Sequence, residues 1–279
     1  MPELPEVETV VRSLRPRLVG ARLGKVFWSG LGLRLGRAPD VAGLESLTHG
    51  GQVTAVRRRA KYILVDVASK AGKARGTLIV HLGMSGRLRV MEASAPRQPH
   101  THLVFGLDAG RELRFVDPRR FGWVGSAARA EDLPELAALG PDPLAELTPE
   151  ILAAALGRSR APIKAFLLDQ RKIAGLGNIY VCEALFRAGV HPRTPAGRAK
   201  KHAAALCAQI RVVLELGIAN RGTTLRDYVD GDGQGGGNSS ALLVYGREGE
   251  ACKVCATGVI TRRIDAGRST FFCPRCQRR

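Results

Sequence analysis

Acidic residues are in short supply. Against 43 Lys plus Arg, the 279-residue chain sets 25 Asp plus Glu, a formal net charge of +18. A solvated surface with no special partner carries a few net charges of either sign. An excess of this size points to a polyanion, with nucleic acid ahead of an anionic membrane surface. Lysine is scarce as well: nine of the 43 basic residues are Lys, which leaves Arg, the better bidentate phosphate ligand, in the majority. No uninterrupted apolar run approaches 18 residues, so no membrane span is expected. The N-terminus has acids where a secretory signal would have a basic region and an apolar stretch, so no such signal is expected. These absences predict a reducing, cytoplasmic setting, with cysteines serving as thiols or metal ligands instead of disulfides. Internal repeats are lacking too. The length allows two domains, and a hydrophobic share of 45% is ample for a core.

The patterning divides the chain. Over 4–18, Val7, Val10, Val11, Leu14 and Leu18 recur at helical spacing on one face. From about 21 to 125 the period shortens: 62–67, 77–82 and 102–105 read as strands, and 108–110 followed by Leu113, Phe115 and Val116 reads as a hairpin. A linker rich in Ala, Leu, Glu and Pro blends into short helices over 128–150. Helical pattern then runs to about 219, with Pro162 near one helix start and Gly189 after another. A glycine-rich loop, DGDGQGGGN, occupies 230–238.

The last segment carries four of the six cysteines. Cys252-x-x-Cys255 and Cys273-x-x-Cys276, separated by 17 residues, fit a tetrahedral tetrathiolate zinc site in which each knuckle supplies two sulfurs. So short a segment cannot bury enough apolar surface alone, and the metal substitutes for a core. Between the knuckles the pattern predicts a β-hairpin bearing Arg262, Arg263 and Arg268. Cys182 and Cys207 lie in helical patterns and read as core residues.

The opening MPELPEVETV has two readings. Pro favours a first helical turn and Glu there complements the helix dipole. Alternatively, with Met1 removed, Pro2 presents a free secondary amine, and an α-amino group titrates near about 8 in model peptides, so a nucleophilic fraction exists at neutral pH.

Six motifs decide how the remainder is read: RRRAKYILVDV (57–67), HLGMSGRL (81–88), DPRRFG (117–122), GLGNIYVCEALFRAGVHP (175–192), VYGREGEAC (244–252) and the cysteine segment. With MPELPEVE ahead of them, the chain resembles the bacterial formamidopyrimidine-DNA glycosylases, end to end and in order. The resemblance implies an α+β fold. An N-terminal catalytic β-sandwich with a leading helix (1–127) and an interdomain linker (128–150) come first. A helix–two-turn–helix DNA-binding domain with its lesion loop (151–241) and a zinc-finger β-hairpin (242–279) follow.

The same resemblance implies the activity and its residues. Pro2 is the Schiff-base nucleophile at the sugar C1′ and Glu3 the proton donor. Lys61 and Arg268 are phosphate contacts and proton donors for the elimination steps, with Glu6 and Glu183 in support. His81, Lys164, Asn178 and Tyr245 hold DNA. Met84 fills the space left by the extruded base, Phe121 wedges beside it and Arg119 pairs with the orphan cytosine. A core Met, a strand-end Phe and a solvated Arg are the plain alternatives; Met84, between Gly83 and Ser85-Gly86, stands in a turn, which favours exposure. One structural zinc is held by Cys252, Cys255, Cys273 and Cys276. The partner is double-stranded DNA containing an oxidised base or abasic site, met by a monomer in the bacterial cytoplasm, at the nucleoid. One departure stands out: the lesion-covering loop has Gly235-Gly-Gly-Asn-Ser-Ser240, with no aromatic after its glycines. Two rival readings are an endonuclease VIII-like glycosylase for oxidised pyrimidines and a zinc-dependent DNA-binding protein without catalysis. The LPEV continuation after Pro2-Glu3 favours the purine enzyme.

Overall fold

A computed structural model describes residues 2–224 and 228–278. Met1, whose removal the nucleophile requires, lies outside them. The chain divides into two units, Met1–Ala138 with Asn220–Gly237, and Leu139–Ala219 with Asn238–Arg279.

The first unit opens with α1 (Leu4–Leu18), on the span its periodicity predicts. Then follow β1 (Leu23–Trp28), α2 (Val41–Thr48), β2 (Gln52–Arg59), β3 (Tyr62–Ala68), β4 (Ala74–His81), β5 (Arg87–Glu92), β6 (Thr101–Leu107), β7 (Arg111–Val116), β8 (Trp123–Ala127) and the short α3 (Pro134–Ala137). The strands form two four-stranded antiparallel sheets, ordered β1-β6-β7-β5 and β2-β3-β4-β8. Their inner faces alternate apolar residues, and Val65, Leu78, Val80, Phe105 and Phe115 meet in one core. The apolar stripe of α1 joins it, with Val7, Val10, Val11, Leu14 and Leu18 all buried.

Helix α1 runs antiparallel to β2, and three contacts fix the direction. Glu8 pairs with Arg58 at 3.1 Å, Arg15 Nε donates to the Val56 carbonyl at 3.2 Å, and Gly20 N–H donates to Val53 at 2.8 Å. Its N-terminus therefore points toward the β2–β3 turn.

Residues 220–237, expected with the helical domain, belong to the first unit instead. The reason is polar contact with α1. Thr223 N–H donates to Glu6 Oε1 at 2.7 Å, the Tyr228 hydroxyl donates to the Glu6 carbonyl at 3.2 Å, and Gly231 N–H donates to Ser13 Oγ at 3.0 Å.

The second unit holds α4 (Pro149–Gly157), α5 (Ile163–Leu168), α6 (Asn178–Arg187), α7 (Ala196–Ala199), α8 (Ala203–Ala219) and a hairpin of β9 (Thr261–Asp265) and β10 (Arg268–Phe272). One helical stretch, Ala196–Ala219, is long and apolar enough, by length and composition, to cross a membrane, although it contains no uninterrupted apolar run of that length. In the fold α8 packs on α4 and α6, burying Leu206, Ile210 and Leu214. Gly217 meets the Tyr180 ring so closely that a Cβ there would lie 2.6 Å from the hydroxyl oxygen.

Candidate active site and nucleic-acid interface

One row of paired residues organises the first unit. Arg59 pairs with Tyr62, Tyr62 with His81, and His81 with Trp123, so the ends of β2, β3, β4 and β8 lie side by side. The β2–β3 connection is a two-residue turn, Ala60-Lys61, made possible by Ala60 at φ +52°. Lys61 thus sits at this sheet end, and it is buried (6% exposed). The N-terminus of α1 points to the same end. The sheet register brings Lys61 and His81 to one edge, and the α1 N-terminus, which carries Pro2 and Glu3, is directed toward it.

Pro2, Glu3 and Glu6 are buried. Glu3 is the N-cap of α1, and its N–H donates to Glu6 Oε2 at 2.8 Å. The other oxygen of Glu6 takes Thr223 N–H. One carboxylate therefore ties the terminus to the 220–237 segment. Tyr228, also on that segment, lies against α1, and its hydroxyl is held neutral by burial and by the Glu6 charge.

His81 accepts the Gly83 N–H on Nδ1 at 3.1 Å, which leaves the ring proton on Nε2. Its pKa is lowered to about 4, first by burial and then by the Arg34 and Lys61 charges. His81 is therefore a neutral donor at physiological pH. The His102 pKa is lowered too, chiefly by burial. An unfolded chain protonates these rings near their ordinary value while the folded chain resists, so stability falls as pH drops from about 6.5 toward 4. Thermal unfolding of His81→Gln across that window should show a shallower acid decline than the parent. An identical slope would assign the effect elsewhere.

Beyond the edge row, β4 runs into residues 82–86 and β8 is preceded by 117–122. Met84 is 40% exposed and Phe121 46%, against the usual burial of such side chains. Arg119 is exposed and lies over the Phe121 ring at 4.8 Å. The core-Met and strand-end-Phe alternatives do not describe these positions.

In the second unit, α5 and α6 are joined by a turn through Gly175 at φ +87°, and Asn178 opens α6. Asn178 Nδ2 donates to the Ser269 carbonyl at 2.8 Å and lies 3.4 Å from the Tyr245 hydroxyl. Lys164 departs from expectation. Read as a phosphate contact, it is 3% exposed, and its ammonium donates to the Ser269 carbonyl at 2.9 Å and Thr270 Oγ1 at 2.7 Å. Buried and engaged in this way, it secures the strand beside Arg268 instead of facing solvent. Arg268 itself is exposed, immediately after the Ala266-Gly267 turn.

Glu183 also has a definite structural task. Its buried carboxylate accepts the N–H groups of Leu243, Val244 and Tyr245 at 2.9–3.1 Å, which fixes the approach to Tyr245. Glu183→Ala would orphan three backbone donors, and a loss of about 3 kcal/mol in unfolding free energy is expected. Unchanged denaturant unfolding would contradict that assignment.

The four cysteine sulfurs of the ribbon lie within 4.8 Å of one another, with Cys252–Cys276 and Cys255–Cys273 each at 3.8 Å. Tetrahedral zinc with Zn–S bonds of about 2.3 Å spaces its sulfurs about 3.8 Å apart, so the donor set fits. Gly258 is part of that fit, since a Cβ there would lie 2.6 Å from Cys273 Sγ and its N–H donates to Cys255 Sγ. Sequence reading missed Gly258, and also Asp117, Ser85 and Thr223. Asp117 and Ser85 stand inside quoted motifs, but nothing local marks a residue that acts across 32 positions.

Family models match in the order of the fold: the formamidopyrimidine-DNA glycosylase N-terminal domain over 1–124, the H2TH domain over 139–229, and the zinc finger found in FPG and IleRS over 249–279. The chain is 50% identical over 284 residues to the formamidopyrimidine-DNA glycosylase of Rhizorhabdus wittichii, covering 100% of both chains. The chain belongs to the formamidopyrimidine-DNA glycosylase family. The family's enzyme from Xanthomonas campestris is 44% identical over 280 residues, again covering 100% of both chains. Among solved structures, the MutM (Fpg) protein of Thermus thermophilus matches at TM-score 0.85 and 40% identity over 99% of this chain and 98% of that one. A Lactococcus lactis Fpg mutant complexed with Fapy-dG-containing DNA matches at TM-score 0.89 and 32% identity, covering 100% of each. Family membership and sulfur geometry agree that the cysteine cluster is a site for one structural zinc.

Proposed function

We propose that this chain excises oxidised purines, 8-oxoguanine and formamidopyrimidines, from duplex DNA and then cleaves the abasic strand. One observation carries the reading. The α1 N-terminus, Lys61 and His81 share one sheet end, and the loops leaving that end present Met84 and Phe121 to solvent. Solved relatives hold Fapy-dG DNA and abasic-site DNA, which accords with this choice of lesion.

A base inside the stack blocks attack at C1′, so extrusion comes first. Met84 fills the gap, Phe121 wedges beside it, and Arg119 meets the orphan cytosine. The Pro2 nitrogen lone pair then forms a bond to C1′ as the N-glycosidic bond breaks; the base departs with its electron pair and takes up a proton from solvent, and the Pro2 nitrogen releases its own proton. Glu3 delivers a proton to the ring oxygen, and the sugar opens to an iminium. A secondary amine makes that cation without needing a further proton. The cation acidifies C2′–H; loss of this proton expels the C3′ phosphate by β-elimination, and loss of the C4′ proton from the conjugated iminium so formed expels the C5′ phosphate by δ-elimination. Lys61 and Arg268 contact phosphate and supply protons to the leaving oxygens. His81, Asn178 and Tyr245 hold the backbone, Lys164 acts through the ribbon strand, and Glu6 and Glu183 support. Residues 242–279 form the zinc-bound module, whose metal stabilises the ribbon and takes no part in bond breaking. Such an enzyme acts as a monomer in the bacterial cytoplasm, at the nucleoid.

The discriminating experiment presents duplexes with 8-oxoguanine opposite cytosine and duplexes with an oxidised pyrimidine. Excision of the purine, leaving phosphate at both strand ends, is expected. Excision confined to the pyrimidine would select the endonuclease VIII-like reading, and binding without cleavage of either would select the non-catalytic one.

A further inference from the structure

Met84, Arg119 and Phe121 stand on two separate stretches, 82–86 and 117–122, and surface loops bearing exposed apolar groups would ordinarily move independently. We propose that Asp117 is a positioning residue that locks these two stretches together, so that the side chains replacing an extruded base are held in place before DNA arrives. The inference rests on the glycosylase reading above.

Asp117 is fully buried, and its carboxylate accepts from both stretches, one donor from 82–86 and two from 117–122. Oδ1 accepts the Ser85 hydroxyl at 2.6 Å and the Arg119 N–H at 3.2 Å, while Oδ2 accepts the Gly122 N–H at 2.8 Å. Ser85 Oγ also takes the Arg119 N–H at 3.3 Å, closing a triangle. The residue itself is anchored behind the loops. Its N–H donates to the His100 carbonyl at 3.0 Å, and its own carbonyl lies 3.1 Å from His102 Nε2. The backbones interlock as well. Gly83 takes φ +63°, and a Cβ there would lie 2.4 Å from both the Phe121 carbonyl carbon and the Gly122 nitrogen. Neither stretch can shift without displacing the other.

An ionised carboxylate is acceptor-only, with lone pairs enough for all three donors. Asparagine at 117 keeps the volume but turns an NH2 group toward either the Gly122 N–H or the Ser85–Arg119 pair, and so breaks one half of the clamp. Ser85→Ala removes a single strand of it more gently. The chemistry at C1′ touches neither residue.

The test compares two substrates under single turnover. One is 8-oxoguanine opposite cytosine in a duplex; the other is a single-stranded oligonucleotide with a preformed abasic site, which has no base to extrude and no stack to refill. Asp117→Asn should slow duplex excision about tenfold or more and Ser85→Ala about threefold, the scale of lost charge-assisted and ordinary hydrogen bonds. Both should cleave the single strand within about twofold of the parent. Equal loss on the two substrates, or no loss on the duplex, would overturn the proposal. Amide hydrogen exchange gives a second reading that needs no activity. Arg119 and Gly122 should exchange faster in Asp117→Asn while β3 and β4 stay protected, and unchanged exchange at those amides would overturn the clamp. If the parent forms no borohydride adduct with abasic DNA, the glycosylase reading fails, and exchange still decides the clamp. Should Asp117→Asn not fold, Ser85→Ala carries both measurements.

Discussion

Pro2→Gly cleaves 8-oxoguanine duplex on the order of 100-fold more slowly than the parent while its Kd for that duplex changes by no more than about threefold. Glycine leaves a primary amine at the terminus, so attack at C1′ persists weakly, but the imine formed must gain a proton to become an equivalent electron sink. A 100-fold loss corresponds to about 2.7 kcal/mol of transition-state stabilisation. Binding is expected to survive because the phosphate and wedge contacts proposed above lie elsewhere, at Arg119, Phe121, Met84 and Arg268. The competing account makes Pro2 a helix-start residue only. Glu3 is already the N-cap and Pro5 lies within the first turn, so capping alone predicts little effect of Gly at position 2 on either quantity. Equal loss of binding and cleavage, tracked by a lowered unfolding midpoint, would support that structural account. Retention of Met1 should abolish cleavage, since the Pro2 nitrogen is then an amide; intact mass read beside activity checks it.

Removing the zinc has the other large effect. Cys273→Ser, or a strong chelator, should release one zinc per chain and unfold the ribbon, because metal binding of structural sites in small domains supplies roughly 10–16 kcal/mol of apparent folding free energy. The consequence spreads beyond the metal. Ser269 and Thr270 are the acceptors of Lys164, and Ser269 that of Asn178, so losing the hairpin leaves a buried ammonium without those partners. Arg268 loses its platform in the same event. DNA affinity should fall by about 100-fold or more, with zinc release and loss of binding following the same chelator titration. Full affinity in the metal-free chain would show that the ribbon contributes little to the interface.

Local pattern carried much of this molecule. The stripe Val7, Val10, Val11, Leu14 and Leu18 marked α1 to the residue, and the twin CxxC turns marked the metal cluster, because spacing along the chain alone decides both. The chemistry at Pro2 was legible only through the resemblance, since Pro and Glu at a helix start serve capping equally well. What stayed hidden depends on distant partners. Lys164 reads as a free cation until Ser269, 105 positions on, supplies the carbonyl that buries it. The 220–237 segment reads as part of the helical domain until Glu6, 217 positions earlier, takes the Thr223 N–H. Asp117 shows its importance only when 82–86 lies beside it. Glycine-rich composition predicted a loop at 230–238 but could not tell which unit it joins.

The central claim is that the terminus becomes covalently bonded to the damaged sugar. Incubating the chain with 8-oxoguanine duplex and borohydride, then mapping the trapped adduct by mass spectrometry of its peptides, tests that claim most directly. The account predicts a single adduct on Pro2 of the N-terminal peptide, with Met1 removed. An adduct on Lys61 or any other lysine, or no adduct on a duplex that is nonetheless cleaved, would contradict it.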